Sequence, residues 1–338
     1  MPSNPLVSII TPSYNQAPYL EKTIRSVLGQ NYQPLEYIIV DGASTDGSLE
    51  IIKRYSEEIS WWISEPDSGQ ADAINKGFSR AKGEIIGWLN SDDIYLPGAL
   101  QQAVDILASQ PEHGLVYSDA ITIDADGTPL NFLEFGDWRL LDLISFRIVC
   151  QPAVFFRREA LEKAGSLNLN YHYLLDHHLW VRIARGAPIQ HASPDYKLAS
   201  ARNGNRFNGL WAAARHHPEA KNVAHPAAFS REILKLLDWM ERQPDLSEMI
   251  NGSPRKVYGG AYRLHARYLL DGGQPQEALN SYWRAFRYDP GYTLKHLNRI
   301  LYSMTAVLFG DNSAEKLKKF KGESKTLDLG FLKIADWP

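Results

Sequence analysis

Two adjacent carboxylates, Asp92 and Asp93, stand directly after an apolar segment that ends at Leu89. Neighbouring carboxylates repel each other and are costly to desolvate, so this position at the end of a core strand needs a reason. One reason is a divalent metal bound together with a diphosphate, because such an ion takes hard oxygen ligands. The other is a helix that begins near Pro97 and that one of the acids caps. Taken alone, the pair favours neither interpretation.

Three further polar loops follow predicted strands in the same part of the chain. They are Thr11 to Asn15, Asp41 to Ser48 and Glu65 to Gly69. Ligands of a parallel α/β sheet bind beyond the carboxyl ends of its strands, so the four loops predict one shared rim. With the three other loops on the same rim, the metal interpretation of Asp92 and Asp93 is favoured. The GxGxxG and GxxxxGK[ST] phosphate-binding patterns are both absent from the sequence.

Asp41 has two compatible interpretations. A carboxylate at the end of the second strand can accept hydrogen bonds from a base or a ribose. It can also belong to a turn in which Asp46 or Ser48 caps the next helix.

Asp176 lies near the start of a later predicted helix, where it is either a cap or a general base. His177 and His178 do not indicate a zinc site, because adjacent residues do not share a helix face. Asp72 and Lys76 follow Gly69. We expect them to stabilise a helix rather than to contact a ligand.

Short apolar segments alternate with helical ones from a strand at Leu6–Ile10 to a strand at Leu115–Tyr117. This order predicts an α/β fold with a mostly parallel central sheet covered by helices. The pattern is less regular from about residue 130 to 205, and from about Ala228 it is helical. We expect a first domain over residues 1–220 and a helical domain over 221–338. The second domain would hold one tetratricopeptide-like helix pair at about 260–291.

The composition is typical of a globular protein and argues against several function classes. The 338 residues are 44% hydrophobic and 22% charged, and the net charge of −3 gives no general attraction to nucleic acid. The one cysteine, Cys150, cannot form an internal disulfide. The N-terminus has no signal-peptide pattern, and no run is apolar enough for a transmembrane segment. We expect a cytoplasmic protein, with peripheral association at the inner membrane face as a further option.

Five motifs together resemble the family 2 glycosyltransferases. In order they are Val7 to Asn15, Val40 to Ser48, Asn75 to Gly77, Ala81 to Glu84 and Leu89 to Asp93, and the likeness covers roughly residues 6–206. The resemblance implies that the first domain is a GT-A (Rossmann-like) catalytic domain. It also implies a nucleotide-diphosphate sugar donor of the UDP type, a divalent metal (Mn²⁺ or Mg²⁺) and usually inversion at the anomeric carbon. The acceptor would be a sugar, glycolipid or protein-linked hydroxyl in polysaccharide, glycolipid or glycoconjugate synthesis.

The resemblance also implies roles for individual residues. Asp92 would bind the metal with Asp93 beside it, and Asp176 would be the general base. Asp41 would bind uracil or another base. The other expected nucleotide-sugar contacts are Thr11, Pro12, Tyr14, Asp67, Lys82, Asn90, Ser91 and Gln151, the last in a segment similar to the family's acceptor-side loop.

Three departures from the family pattern concern this site. Asn90 replaces the first acid of the Asp-x-Asp motif, which weakens the expected metal site although the amide keeps an oxygen ligand. His178 replaces the second acid of the family's Asp-x-Asp-Leu-Trp form. The Arg-x-His pattern is not evident, and Arg202-Asn203 is the nearest piece.

Two rival functions remain. A sugar nucleotidyltransferase also uses carboxylates, a metal and an α/β sheet, but the chain lacks an obvious basic Gly-rich triphosphate loop near its first strand. A catalytically decayed scaffold would act through its helical tail, but the retained rim carboxylates argue against decay. The tail is expected to bind a protein partner, the acceptor's carrier or its own catalytic domain. Four lysines near its end suit a solvated surface better than an anionic lipid surface: Lys316, Lys318, Lys319 and Lys321.

Overall fold

The structure is a computed structural model and describes residues 4–192 and 209–310. Its chain falls into two compact units. The sheet unit holds residues 4–140, 149–192 and 209–216, and the helical unit holds residues 141–148 and 217–310. The Arg202-Asn203 piece and the lysines at the end of the tail lie outside the described residues.

The strands and helices of the described residues are numbered here in chain order. The strands are β1 (Val7–Ser13), β2 (Leu35–Asp41), β3 (Trp61–Ser64), β4 (Ile85–Trp88), β5 (Ile94–Tyr95), β6 (Leu115–Tyr117), β7 (Asp119–Ile123), β8 (Pro129–Leu133), β9 (Val154–Arg157), β10 (Ile189–His191) and β11 (Leu210–Arg215). The helices are α1 (Ala17–Leu28), α2 (Ser48–Arg54), α3 (Gln70–Arg80), α4 (Ala99–Ser109), α5 (Leu140–Ile144), α6 (Arg158–Ala164), α7 (Leu175–Gly186), α8 (Lys221–Ala224), α9 (Pro226–Glu241), α10 (Pro244–Gly252), α11 (Pro254–Asp271), α12 (Pro275–Tyr288), α13 (Pro290–Leu294) and α14 (Leu297–Phe309).

The large sheet has the strand order β10-β6-β9-β4-β1-β2-β3. Its neighbouring strands are parallel except at β9, which runs antiparallel to β4 and β6. This confirms the predicted mostly parallel central sheet. Every residue of β1 is buried, as expected for a strand with helices on both faces. The register pairs Asp41 with Ser13 and with Ser64, so the carboxyl ends of β1, β2 and β3 meet at one level.

A small second sheet, which the sequence pattern did not predict, has the order β5-β11-β7-β8. Strand β5 stands between Asp93 and α4 and pairs antiparallel with β11. Helix α4 starts after Gly98, whose φ of 81° lies in the left-handed region that favours glycine. No side chain caps this helix start. The interpretation of Asp92 or Asp93 as its cap is therefore wrong.

The helical unit contains the packed pair α11 and α12, which covers most of the range predicted at about 260–291. Gly273 allows the tight link between them, with a φ of 72°. Leu269, Leu270 and Ala278 form a buried cluster in this pair, and Tyr302 of α14 packs against it. In neither described range is a helix both long and apolar enough to cross a lipid bilayer.

Candidate active site

The acidic loop, defined as Asn90 to Asp93, follows β4 and is anchored to helix α1. The hydroxyl of Thr23, a fully buried residue of α1, lies 3.0 Å from the carbonyl oxygen of Ser91 and 2.7 Å from that of Asp93. It donates a hydrogen bond that the two oxygens share. Ser91 is itself buried. The loop thus has a rigid support, and Ser91 contributes to that support through its backbone.

Asn90 uses both ends of its amide inside the protein. Its Oδ1 accepts hydrogen bonds from Gln70 Nε2 at 2.8 Å and from Trp88 Nε1 at 2.9 Å. Its Nδ2 donates to Gln151 Oε1 at 3.1 Å and to Asp93 Oδ2 at 3.3 Å. A carboxylate has no proton to donate, so an aspartate could accept from Gln70 and Trp88 but could not donate to Gln151 and Asp93. The asparagine at this place is therefore a connecting residue of the loop.

Asp93 is also directed into the protein and is 6% exposed. In addition to the contact with Asn90, its Oδ1 accepts a hydrogen bond from the backbone N–H of Arg215 at 2.8 Å. Burial, and next the neighbouring charge of Asp92, raise the pKa of Asp93 well above its ordinary value. The geometry gives Asp93 a supporting place in the loop, and it leaves Asp92 as the acid for a metal.

Asp92 fits one kind of metal site and not another. It is half-buried, and nowhere in the two described ranges do three His, Cys, Asp or Glu side chains form a cluster that could hold an ion. A closed site made only of protein ligands therefore does not fit. Mg²⁺ bound with a substrate needs only one or two carboxylates, because phosphates and waters complete its shell, and Mn²⁺ favours the same oxygen ligands. Asp92 fits that arrangement.

Asp41 is fully buried and organises the loop that follows it. Its carboxylate accepts hydrogen bonds from the N–H of Ser44 at 2.9 Å, from the hydroxyl of Ser44, and from the hydroxyl of Ser64 at 2.6 Å. Three donors take up much of the acceptor capacity of one carboxylate. Asp46 accepts from the first N–H of α2 at 3.0 Å. Both acids therefore stabilise the turn between β2 and α2.

Tyr14 and Asp67 meet beside Gly42. A Cβ at Gly42 would lie 2.7 Å from Asp67 Oδ2 and 3.2 Å from Tyr14 Cδ2, so the absence of a side chain permits this approach. Tyr14 is 63% exposed and Asp67 is half-buried. The rim thus offers an aromatic ring and a carboxylate next to each other, at the ends of β1 and β3.

Three candidates do not join this rim. Thr11 and Pro12 are buried within β1, and the Thr11 hydroxyl accepts a hydrogen bond from the Tyr37 hydroxyl at 3.2 Å. Lys82 lies at the opposite edge of the sheet, because it precedes β4 and its N–H donates to Glu36 Oε2 at 2.8 Å, near the start of β2. The prediction that placed Lys82 with the other contacts is corrected by this geometry. Its place before the apolar segment that ends at Leu89 already indicated the amino end of that strand.

Asp176 lies in the first turn of α7, and Trp180 one turn later packs this helix on the sheet. The Trp180 ring centroid is 5.9 Å from that of Trp88 in β4. Burial raises the pKa of the Cys150 thiol, and the charges of Asp93 and Asp176 raise it further. Because Trp180 packs on Trp88, two residues before Asn90, helix α7 lies beside the strand that leads into the acidic loop.

Gln151 connects the start of β9 to the same loop. It is 8% exposed, and its Nε2 donates to the carbonyl oxygen of Trp88 at 2.6 Å while its Oε1 accepts from Asn90. His178, which replaces an acid of the family pattern, is buried, and its ring stacks on Tyr171 with centroids 4.5 Å apart. Gln151 thus belongs to the support of the loop, and His178 belongs to the core.

Arg215 was not among the predicted residues, yet it holds the acidic loop from the small sheet. Its Nε donates to the carbonyl oxygen of Asp92 at 2.8 Å. Its Nη1 donates to the carbonyl oxygens of Asp124 and Ala125 at 3.0 and 2.9 Å. The Arg-x-His pattern that was not evident in its expected place occurs here as Arg215-His216-His217. This pattern is the sequence signal that would have found Arg215.

Comparisons with known proteins agree on one family. The family profile described as "Glycosyl transferase family 2" matches residues 8–165. A glycosyltransferase of Mycobacterium tuberculosis (strain CDC 1551 / Oshkosh) is 30% identical over 192 residues, which are 54% of this chain and 71% of the relative. TuaG of Bacillus subtilis, named for teichuronic acid biosynthesis, is 38% identical over 130 residues, or 38% of this chain and 51% of TuaG. A Rickettsia conorii glycosyltransferase is 31% identical over 62% of this chain, which spans only 38% of that relative.

Two solved structures are similar in fold. Residues 1–349 of TarS from S. aureus, in complex with UDP-GlcNAc, match with a TM-score of 0.60 and 15% identity over 93% of this chain and 90% of that one. The mannosyltransferase PcManGT from Pyrobaculum calidifontis, in complex with GDP-Man and Mn²⁺, matches with a TM-score of 0.58 and 19% identity over 94% of this chain and 85% of that one. At these identities the likeness concerns the fold alone. The chain belongs to glycosyltransferase family 2, and its fold is GT-A.

Proposed function

We propose that the protein transfers a sugar from a nucleotide-diphosphate donor, of the UDP type, to an acceptor hydroxyl, with inversion in a single displacement. The observation that carries this proposal is that the acidic loop, the turn after Asp41, and the Tyr14 and Asp67 side chains all lie at the carboxyl ends of neighbouring parallel strands, in the order β4-β1-β2-β3. The donor class is supported by the family and by the UDP-GlcNAc and GDP-Man complexes of the two similar structures. The name of TuaG supports a role in polysaccharide synthesis.

The proposed mechanism follows from where charge develops. The leaving nucleotide diphosphate gains negative charge as its bond to the sugar breaks. A divalent metal, Mn²⁺ or Mg²⁺, supplies Lewis-acid stabilisation of that charge when it is bound. Asp92 would hold it together with the donor phosphates, and Asn90 and Arg215 keep the loop in position. Asp176 accepts the proton of the acceptor hydroxyl as that oxygen attacks the anomeric carbon opposite the leaving group.

The donor pocket of this proposal lies around Gly42. The exposed ring of Tyr14 offers an apolar face to a base, and the Asp67 carboxylate accepts hydrogen bonds from a base or ribose. Asp41 acts indirectly here, because its contacts with Ser44 hold the turn on which Gly42 stands. We therefore assign direct donor contacts to Tyr14 and Asp67.

The test separates donor binding from transfer. A panel of UDP-sugars and GDP-mannose is titrated with Mn²⁺ into the chain and its variants, and nucleotide release is followed with candidate acceptors. Asp176→Asn should bind the preferred donor within about threefold of the parent affinity and lose at least 100-fold in transfer rate, since a general base contributes about 10²–10⁴. Asp92→Ala should lose the part of donor affinity that depends on Mn²⁺.

The exposed acid Glu58 supplies the matched control, because Glu58→Gln removes one charge away from the rim. Unchanged turnover in Asp176→Asn would sink the assignment of the general base. Release of pyrophosphate from a nucleoside triphosphate and a sugar phosphate would instead support a nucleotidyltransferase. Absence of both reactions across the panel would favour a scaffold.

We also propose that the helical unit associates with an anionic membrane surface. Helix α14 exposes large apolar side chains along its length: Leu297, Leu301, Met304, Val307, Leu308 and Phe309. Contiguous exposed apolar surface of this kind marks an interaction site. The four tail lysines, for which the sequence alone favours a solvated surface, follow this apolar helix in the sequence and would supply attraction to anionic headgroups.

A further inference from the structure

A cavity of about 490 Å³ lies in the sheet unit between helix α1 and the small sheet. Lys22 and Arg25 of α1, Tyr95 of β5, Pro97, and Arg215 of β11 are among its lining residues. The volume lies within the usual range of small-ligand sites. None of the residues proposed above to contact the donor, the metal or the acceptor proton lines this cavity.

Arg215 is 3% exposed, and one of its nitrogens is not satisfied within the described chain. Its Nε and Nη1 donate to backbone carbonyls, whereas Nη2 is buried and has no acceptor among residues 4–192 and 209–310. A buried donor without an acceptor is unfavourable, and more so when it is charged. Burial lowers the pKa of Arg215, against the opposing effect of the nearby carboxylates. The guanidinium carbon lies 5.0 Å from the centroid of the Tyr19 ring, and a small shift of the side chain would bring Nη2 to an acceptor oxygen in the cavity.

The charges around the cavity favour an anion. Lys22 and Arg25 are exposed cations of the lining, and Arg215 is a third. The lining also contains two acids, Glu21 and Asp126. The carboxylate of Glu21 is already 3.1 Å from the guanidinium of Arg54, outside the cavity, and Asp126 is exposed on the β7–β8 turn. The charge of Arg215 is faced by Asp92, Asp93 and Asp124, so the attraction for an anion comes from Lys22 and Arg25.

We propose that this cavity binds an anionic group, a phosphate or a carboxylate, whose oxygens accept hydrogen bonds from Arg215 Nη2 and pair with Lys22 and Arg25. A guanidinium presents planar N–H groups that suit both anions. The anion can arrive free or as part of a charged sugar. In the second case the cavity is a subsite for an acidic acceptor, a refinement that rests on the proposed function. Because the same guanidinium donates to the carbonyl of Asp92, a bound anion also restrains the acidic loop.

The experiment measures binding of inorganic phosphate, glucuronate, acetate and glucose to the full chain by calorimetry at constant ionic strength. The parent is compared with Lys22→Ala/Arg25→Ala and with the charge-matched control Lys53→Ala/Lys163→Ala, whose two lysines are exposed outside the cavity. We expect the first double variant to bind phosphate or glucuronate at least tenfold more weakly, and the control to bind as the parent does. Glucose should not bind. Glucuronate that binds more tightly than phosphate and acetate indicates a sugar-borne anion, and equal affinities indicate a free one.

A crystal soaked in the tighter anion gives a second readout, with density expected within hydrogen-bond distance of Arg215 Nη2. Density elsewhere, no anion binding by the parent, or equal weakening in both double variants would overturn the proposal. UDP-sugar binding is measured in the same variants. If the parent binds a UDP-sugar but no anion, the cavity site alone is rejected. If the parent binds no UDP-sugar, the proposed function is rejected.

Discussion

At the scale of single residues, the acidic loop depends on Asn90 as a residue that both donates and accepts. Its Oδ1 accepts hydrogen bonds from the N–H groups of Gln70 and Trp88. Its Nδ2 donates hydrogen bonds to Gln151 and to the buried Asp93. Only an amide of this length matches the two donors and two acceptors around it. The departure from Asp-x-Asp is therefore consistent with the proposed site, in which Asp92 alone of the loop acids would face a metal.

We predict that Asn90→Asp, which restores the family's acidic pair, lowers the free energy of unfolding by about 2–4 kcal/mol. The new carboxylate would face the oxygens of Asp93 and Gln151 without a proton to share, and it would be partly buried. It should not increase the affinity for Mn²⁺. Urea denaturation and calorimetry with Mn²⁺ check the two parts.

Asn31→Asp is the control for this variant, because it adds the same charge at an exposed position. It should change stability by less than about 0.5 kcal/mol. Unchanged stability in Asn90→Asp together with tighter Mn²⁺ binding would show that position 90 is a metal ligand.

At the scale of elements, residues 141–148 are fixed to α11 by two contacts within the helical unit. Lys256 Nζ lies 2.8 Å from Asp142 Oδ1. Gly260 leaves room for the backbone of Ser145, since a Cβ there would lie 2.0 Å from the Ser145 carbonyl oxygen. A backbone oxygen cannot turn aside as a side chain can. The glycine in the middle of α11 is thus required by packing.

Gly260→Ala should therefore destabilise the helical unit by roughly 2–3 kcal/mol, because the overpacking exceeds the gain of about 1 kcal/mol in helix propensity. Gly252→Ala is the matched control, since a Cβ there meets no atom within 4 Å. It should leave stability equal or slightly raised. Hydrogen exchange of the α11 amides measures both variants, and equal protection in the two would refute the packing argument.

The pair α11 and α12 should also lose stability in acid. Burial, and next the charge of Arg284, lower the pKa of His265 to about 4, and its Nδ1 lies 2.9 Å from Ser281 Oγ. An unfolded chain takes up this proton near pH 6.5, so the folded state binds fewer protons between pH 6.5 and 4. Stability is then present above pH 6.5 and is lost as the pH falls toward 4, by roughly 2 kcal/mol after allowance for solvent screening.

The check is the stability of α11 and α12, measured by hydrogen exchange at pH 7 and pH 5. The parent should lose protection at pH 5, and His265→Gln should lose less because its side chain does not titrate. The exposed His172 gives a control, and His172→Gln should behave as the parent does. An identical pH response in His265→Gln and the parent would exclude this histidine as the cause.

The elements differ in how far the sequence could predict them. Helices and parallel strands up to β6 follow local periodicity, and α3 begins directly after Gly69. The small sheet was not predictable in this way. Strand β5 has only two residues, and it is a strand because it pairs with β11, far along the chain. Sequence separation also limited the prediction of the site. The positions of its loops could be predicted from the strand ends, but the inward direction of Asp93 depends on Arg215, 122 residues later.

At the scale of the whole molecule, the unusual surface is the apolar face of α14. Within the described residues, the exposed fractions reach 67% at Leu308 and 71% at Phe309. Leu297, Leu301 and Leu308 recur at helical spacing, so they form one stripe. The net charge of −3 opposes attraction to an anionic membrane in general, which means that any such attraction has to come from a local basic segment.

We predict that the full chain binds vesicles of phosphatidylglycerol and phosphatidylcholine but not of phosphatidylcholine alone, with weaker binding at high salt. Met304→Glu/Leu308→Glu should reduce binding at least tenfold, because charges on the stripe oppose its insertion between lipids. Val223→Glu places a charge at another exposed apolar residue and should leave binding unchanged. Vesicle co-sedimentation measures binding, and sedimentation velocity measures the oligomeric state. If the stripe variant instead dissociates an oligomer and vesicle binding is absent in the parent, the stripe is an interface between copies of the chain and the membrane proposal is wrong.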